Sequence, residues 1–212
     1  MLLFHIPKLR TVSVLKRILI TILIVLSVMT IFGNPKDLIK NANYDKLKTL
    51  IDIRIEKERY KVTPVDKERL QAILPYIVYL SNSYSIDPVI FITIIEQESG
   101  YRWITGDSGK AAGFVQLHLS TAWYCMDKFK NELVDMGLTN TEIKSIKDLE
   151  MSVIRTSVLG FYWFVLKLQE TGSYRKAIGL YNGVDNESYI NKFVEKYMQL
   201  HEIYFNLKGY SA

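Results

Sequence analysis

Between Asp87 and Gly100 the chain spells out one helix with a start, a stop and almost no polar face. Asp87 is suited to cap the N-terminus and Pro88 to occupy the first helical position, where its missing N–H costs nothing. Val89-Ile90-Phe91-Ile92-Thr93-Ile94-Ile95 is then apolar nearly all round. A helix of that kind has no side to give to water, so it belongs at the centre of a domain with other helices around it. Polar groups are confined to its last turn, Glu96-Gln97-Glu98-Ser99, and Gly100 ends it. Glu98 is the residue this pattern singles out. Burial and the negative end of the helix dipole both oppose its charge, moving its pKa from about 4.3 towards the value of about 6 that a general acid needs. Glu96 and Gln97 point roughly 200° and 100° away around the helix and serve as internal controls.

The surrounding helices are also readable. Thr63-Pro64 followed by Asp66 marks a helix start, and Leu70, Ile73, Leu74, Ile77, Val78 and Leu80 form its apolar stripe, with a kink expected at Pro75. Further helices are expected over 120–133, 148–169 (ending near Gly172), 174–180 and 188–207, with a turn and a helix start near Thr139-Asn140-Thr141-Glu142. No long alternating strand is present, which leaves room for at most a small β-hairpin around 101–118. The fold class is mainly α. Residues 35–63 are charged, with apolar positions at Leu38, Ile39, Leu47, Leu50, Ile51, Ile53 and Ile55, and read as an amphipathic stalk that holds the domain off a membrane or packs on it. The organisation expected is a basic tail over 1–17, an anchor over 18–34, the stalk over 35–63 and the main domain over 64–212.

The anchor rests on an uncharged run from Ile18 to Pro35, 18 residues that reach about 27 Å as a helix against a bilayer core of ~30 Å. A cleaved signal peptide is the alternative. No small-x-small pair closes the run, which favours an uncleaved single-pass anchor. Lys8, Arg10, Lys16 and Arg17 precede it, so that flank stays in the cytoplasm and the rest is exported. These four are among 27 basic residues, and the remaining 23 face 22 acidic ones. Four of the five net positive charges therefore belong to the tail, and no basic folded face for nucleic acid is expected. Cys125 is the only cysteine, which excludes an internal disulfide and suits a small buried hydrophobe; none adjoins the apolar run to carry a lipid. The three histidines, His5, His118 and His201, lack the spacing of metal ligands on one helix, against a zinc peptidase.

Three stretches combine into a larger pattern: Glu98-Ser99-Gly100-Tyr101; Gly106-Asp107-Ser108-Gly109-Lys110-Ala111-Ala112-Gly113-Phe114-Val115-Gln116-Leu117; and Leu180-Tyr181-Asn182-Gly183. Together they resemble the signature of soluble lytic transglycosylase domains, lysozyme-like enzymes that cut the glycan strands of peptidoglycan. Leu80, Tyr84, Ile86-Asp87-Pro88 and Ile94-Ile95-Glu96-Gln97 precede the acid in the order found in that family. The second stretch resembles the family's Gly-Ala-x-Gly-Leu-Met-Gln, with Ala111, Gly113 and Gln116 matching, Lys110 standing for the first Gly and Phe114-Val115 for Leu-Met. The third resembles Ala-Tyr-Asn, with Leu for Ala. The likeness covers roughly residues 70–183.

The resemblance implies a lysozyme-like fold and cleavage between N-acetylmuramic acid and N-acetylglucosamine, with formation of a 1,6-anhydromuramoyl end and no cofactor or metal. Glu98 and Tyr181 would be catalytic, the tyrosine holding or polarising the acid. Ser99, Gln116, Asn182, Tyr101, Trp103 and Phe114 would meet substrate. Trp123, Tyr124, Phe129, Tyr162 and Trp163 are further stacking candidates that read more readily as core. Gly106-Asp107-Ser108-Gly109 also resembles the Gly-Asp-x-Gly of goose-type lysozymes, where the Asp helps position water. Asp107 would then be the second carboxylate of a hydrolytic muramidase. A domain that binds peptidoglycan without cutting it, as part of a secretion or conjugation apparatus, is the reading from another class. The partners expected are glycan strands and the inner membrane, with the catalytic domain on the periplasmic or extracellular side of a bacterial cytoplasmic membrane.

Overall fold

A computed structural model describes residues 42–139, 142–183 and 186–207. The apolar run of the expected anchor lies outside them, and no described helix is long and apolar enough to cross a membrane. In chain order the elements are α1 (Ala42–Lys57), α2 (Pro64–Tyr84), α3 (Pro88–Ser99), β1 (Thr105–Gly106), β2 (Ala111–Ala112), β3 (Leu117–His118), α4 (Leu119–Lys128), α5 (Lys130–Asp135), α6 (Ile146–Met151), α7 (Val153–Thr171), α8 (Tyr174–Tyr181) and α9 (Glu187–Asn206). The chain is mainly helical, with one three-stranded antiparallel sheet in the order β1-β2-β3.

Local capping chemistry sets the helix starts. Thr63 and Asp66 form a reciprocal capping box before α2, Pro64 takes the first helical position, and the helix runs on through Pro75. The Asp87 side chain accepts from the Val89 N–H, and Gly100 ends α3 in the left-handed conformation at φ 58°. All seven residues from Val89 to Ile95 are buried. Around them pack α1, α2 and α9, while α7 lies against α2, α4 and α8 and forms the second central helix.

The segment read as a stalk is part of this core. Leu47, Leu50, Ile51 and Ile55 of α1 are buried among the residues of α2 and α3, so the expected boundary at residue 63 divides one packed unit. The reason lies in Arg54 as much as in the apolar stripe. Its guanidinium is buried and grips Glu96, with Nε 2.9 Å and Nη2 2.8 Å from the two carboxylate oxygens. The hydroxyls of Tyr60 and Tyr101 also donate to Glu96, and Arg54 Nη2 reaches Gln199 of α9 at 2.6 Å. One buried carboxylate thereby ties α1, α3 and α9 together.

Two expected helices are divided. The stretch 148–169 breaks at Ser152, where the backbone turns to φ −121° and ψ 76°. Ser145 and Asp148 make a second capping box for α6, and Thr156 Oγ1 donates to the carbonyl of Leu149, closing α6 before α7 begins. The stretch 120–133 breaks at Phe129, whose ring stacks on Tyr162 at 4.1 Å. The helix start expected near Glu142 begins instead at Ile146, after Ser145; Asn140 and Thr141 lie outside the described residues. The expected hairpin carries a third strand, β3, paired to β2 through Ala111 with His118 and Ala112 with Leu117.

A candidate active-site cleft around Glu98

The last turn of α3 and the strand-bearing segment 105–118 face the end of α8 across a cleft of about 530 Å³. Glu98, Asp107, Gln116, Tyr181 and Asn182 line it, with Ala111, His118, Thr121, Trp163 and Gly183. Residues 98, 116 and 181 come from the three stretches distant in sequence. The fold brings them to one place.

Glu98 is mostly buried, and desolvation raises its pKa above the ordinary carboxylate value. Two groups on α9 work against that rise. The Tyr189 hydroxyl donates to Glu98 Oε1, and the Lys196 ammonium lies near enough to favour the charged form. The Tyr189 hydroxyl is itself held strongly protonated by burial and by the Glu98 charge, so it remains the donor. Lys196 has its own pKa lowered by burial and donates to the Glu96 carbonyl at 3.4 Å. A Tyr189→Phe variant is expected to raise the Glu98 pKa further, because it removes the hydrogen bond that stabilises the carboxylate. Carbon-13 NMR titration of the Glu98 carboxyl measures this, and an unchanged or lower pKa contradicts it.

Tyr181 was expected to hold the acid; the structure gives that contact to Tyr189. The Tyr181 hydroxyl donates instead to the Val115 carbonyl at 2.9 Å, tying the end of α8 to the glycine-rich turn. It still feels the Glu98 charge, which together with burial keeps the phenol protonated. Tyr181 therefore positions the turn. Gln116 braces the same turn, its Nε2 donating to the carbonyls of Ile104 and Gly113 at 3.1 and 2.7 Å from a backbone at φ 47°. Both amide protons are used within the protein, and its Oε1 packs against Gly106, where a Cβ would come within 1.8 Å.

Close backbone approach explains the small residues here. A Cβ at Gly113, whose φ is 81°, would meet the Trp103 ring at 2.6 Å, and one at Gly160 of α7 would meet Val115 Cγ2 at 2.4 Å. Gly160→Ala is expected to push the turn off α7 and lower stability by about 1–2 kcal/mol, overpacking outweighing the better helix propensity. Denaturant unfolding of Gly160→Ala beside Gly160→Ala/Val115→Ala checks this: the double variant should regain part of the loss, and additivity would refute the clash.

Asp107 stands in the cleft with its side chain 57% exposed, its Oδ2 3.5 Å from His118 Nε2. Its φ of 43° and that of Ser108, 53°, bend the loop so that this carboxylate faces the cleft. Asn182 is exposed at the cap of α8 and also lines it.

Three expected substrate contacts are corrected. Tyr101 and Phe114 are wholly buried and offer a ligand no surface. Tyr101 uses its hydroxyl on Glu96 at 2.7 Å, and Phe114 packs edge-on against Trp103. Ser99 is buried with its hydroxyl donating to the Ile95 carbonyl. Trp103 is half-buried beneath the turn: its backbone N–H donates to Asp66 and its indole N–H to the Glu150 carbonyl. Conversely, Trp163, a stacking candidate that read more readily as core, lines the cleft together with His118 and Thr121, and Tyr189 joins the site through its hydrogen bond to Glu98. Tyr189 left no signal beyond being an aromatic in the first turn of the last helix, after the Asn186 cap. Glu96 is no neutral control either, since it anchors a buried ion pair. Comparison with protein-family models, curated proteins and solved structures finds no match to this chain.

Proposed function

We propose that this chain is a membrane-anchored peptidoglycan lytic transglycosylase. The observation that carries the reading is that Glu98, Gln116, and Tyr181 with Asn182, the marks of three separate resembling stretches, line one open cleft in which the acid is mostly desolvated. Protonated Glu98 gives its proton to the glycosidic oxygen between N-acetylmuramic acid and N-acetylglucosamine. The resulting carboxylate takes the proton of the muramoyl C6 hydroxyl, whose oxygen closes on C1. One carboxylate suffices because the nucleophile belongs to the substrate and is already in place. Burial serves the first half of this cycle by keeping the proton on, and the Tyr189 donor and the Lys196 charge serve the second by stabilising the carboxylate.

Asp107 favours a second reading. An exposed carboxylate in the same cleft as a desolvated acid is the arrangement of an inverting hydrolase, which needs a separation of about 6.5–9.5 Å to admit water. Mass spectrometry of muropeptides released by the detergent-solubilised full chain separates the two. Anhydro products, about 18 Da lighter than hydrolytic ones, are expected, and absent with Glu98→Gln. Reducing-end products would assign Asp107 to the reaction. Strands left uncut by folded protein would refute both and favour a binding domain.

A further inference from the structure

Beyond the cleft, two helices carry the same pair of residue types at the same spacing. On α7, Trp163 lines the cleft and Lys167, four positions on, holds its ammonium 4.0 Å from the indole centroid. On α4, Tyr124 is 43% exposed and Lys128, again four positions on, lies 5.6 Å from its ring centroid. The two rings meet edge to face, 6.2 Å apart at 85°. Spacing of i and i+4 puts each cation over its ring, and the edge-to-face contact joins the pairs into one aromatic cluster that adjoins the cleft at Trp163. Lys167 is bound to Glu170 at 2.7 Å and mostly covered, whereas Lys128 is exposed at the outer end. The Trp163 indole N–H is committed to the Tyr181 carbonyl, so what the cluster offers a ligand is aromatic face and positive charge.

Resting on the reading of the cleft as a glycan site, we propose that Tyr124 and Lys128 form an outer subsite that selects strands bearing peptide stems. Tyr124 stacks on a sugar face. Lys128 meets a carboxylate of the peptide stem carried by the muramoyl lactyl group. The cleft alone would accept bare and peptide-bearing glycan alike, and the subsite favours the peptide-bearing form.

The test uses the full chain in detergent with the Glu98→Gln change, so that binding is read without cleavage, in co-sedimentation with intact peptidoglycan and with peptidoglycan stripped of its stems by an amidase. Lys128→Gln is expected to weaken binding to intact material by about three- to tenfold, as removal of one charge-assisted contact should, and to affect stripped material, which keeps only the short lactyl carboxylate, less. Tyr124→Ala is expected to weaken both by about fivefold, as loss of a stacking face should. Both side chains are exposed, so the fold is spared, and far-ultraviolet circular dichroism of each variant checks that. Equal effects of Lys128→Gln on the two materials, or none, overturn the subsite. Selective binding by a wild-type chain that cuts nothing would keep the subsite and sink the lyase, whereas failure to bind either material sinks both.

Discussion

Under the proposed lyase reading, Glu98→Gln is expected to lower glycan cleavage by about 10³-fold or more while leaving the protein at least as stable as the wild type. The activity loss follows from asking one residue to act as both acid and base, each role carrying about 10²–10⁴ in rate. The stability follows from the direction of the pKa shift. Burial holds the Glu98 pKa in the folded protein above that of the unfolded chain, so folding favours the protonated form. Below the unfolded value of about 4.3 the carboxyl is neutral in both states and nothing is lost. As pH rises through the folded value, the buried group must charge, and stability falls. Gln carries no such penalty and can still accept the Tyr189 hydroxyl at its amide oxygen. The difference in Tm, variant minus wild type, should therefore grow from pH 4 to pH 8, measured by calorimetry. A difference that shrinks with pH would mean that the native site stabilises the carboxylate, and retained cleavage would remove Glu98 from the chemistry.

Arg54→Ala should do the reverse, damaging the fold far from the cleft. Glu96 is fully buried, and its charge is answered by the Arg54 Nε and Nη2 contacts, with Tyr60 and Tyr101 adding hydroxyls. Removing the guanidinium leaves a buried carboxylate with its hydrogen-bonded counter-charge gone and only the Lys196 charge nearby, at a cost of about 3–5 kcal/mol. For a chain of this size that is roughly a 10 °C fall in Tm. Arg54→Met/Glu96→Gln should recover part of the loss, because no uncompensated charge remains. Lys48→Ala, which removes an exposed partner of Asp52, should change stability by no more than about 0.5 kcal/mol. If Arg54→Ala behaves like Lys48→Ala, the pair does not hold α1 to the core.

The two variants separate neighbours that look alike in sequence. Glu96 and Glu98 lie two residues apart on α3, which turns them about 200° away from each other. One meets Arg54, Tyr60 and Tyr101 under α1 and α9; the other opens on the cleft. Periodicity foresaw that they diverge. It did not foresee that Glu96 would be needed for stability, because Arg54 lies 42 residues earlier in a segment whose charge density reads as a solvated stalk.

What the sequence by itself determined was local. The caps at Thr63, Asp87 and Gly100, the stop at Gly172 and the all-apolar run of α3 depend on backbone groups within four residues, and all appear at the expected places. The gathering of Glu98, Gln116, Tyr181 and Asn182 was legible only as a likeness of spacing. Tertiary packing decided the rest. It chose Tyr189 over Tyr181 as the donor to Glu98 across 91 residues, turned Tyr101, Phe114 and Ser99 inward, drew α1 into the core and interrupted helices at Phe129 and Ser152. The physical reason is the same in each case: a cap is satisfied by its own turn, whereas a buried charge, hydroxyl or ring takes the partner that folding brings within 3–4 Å.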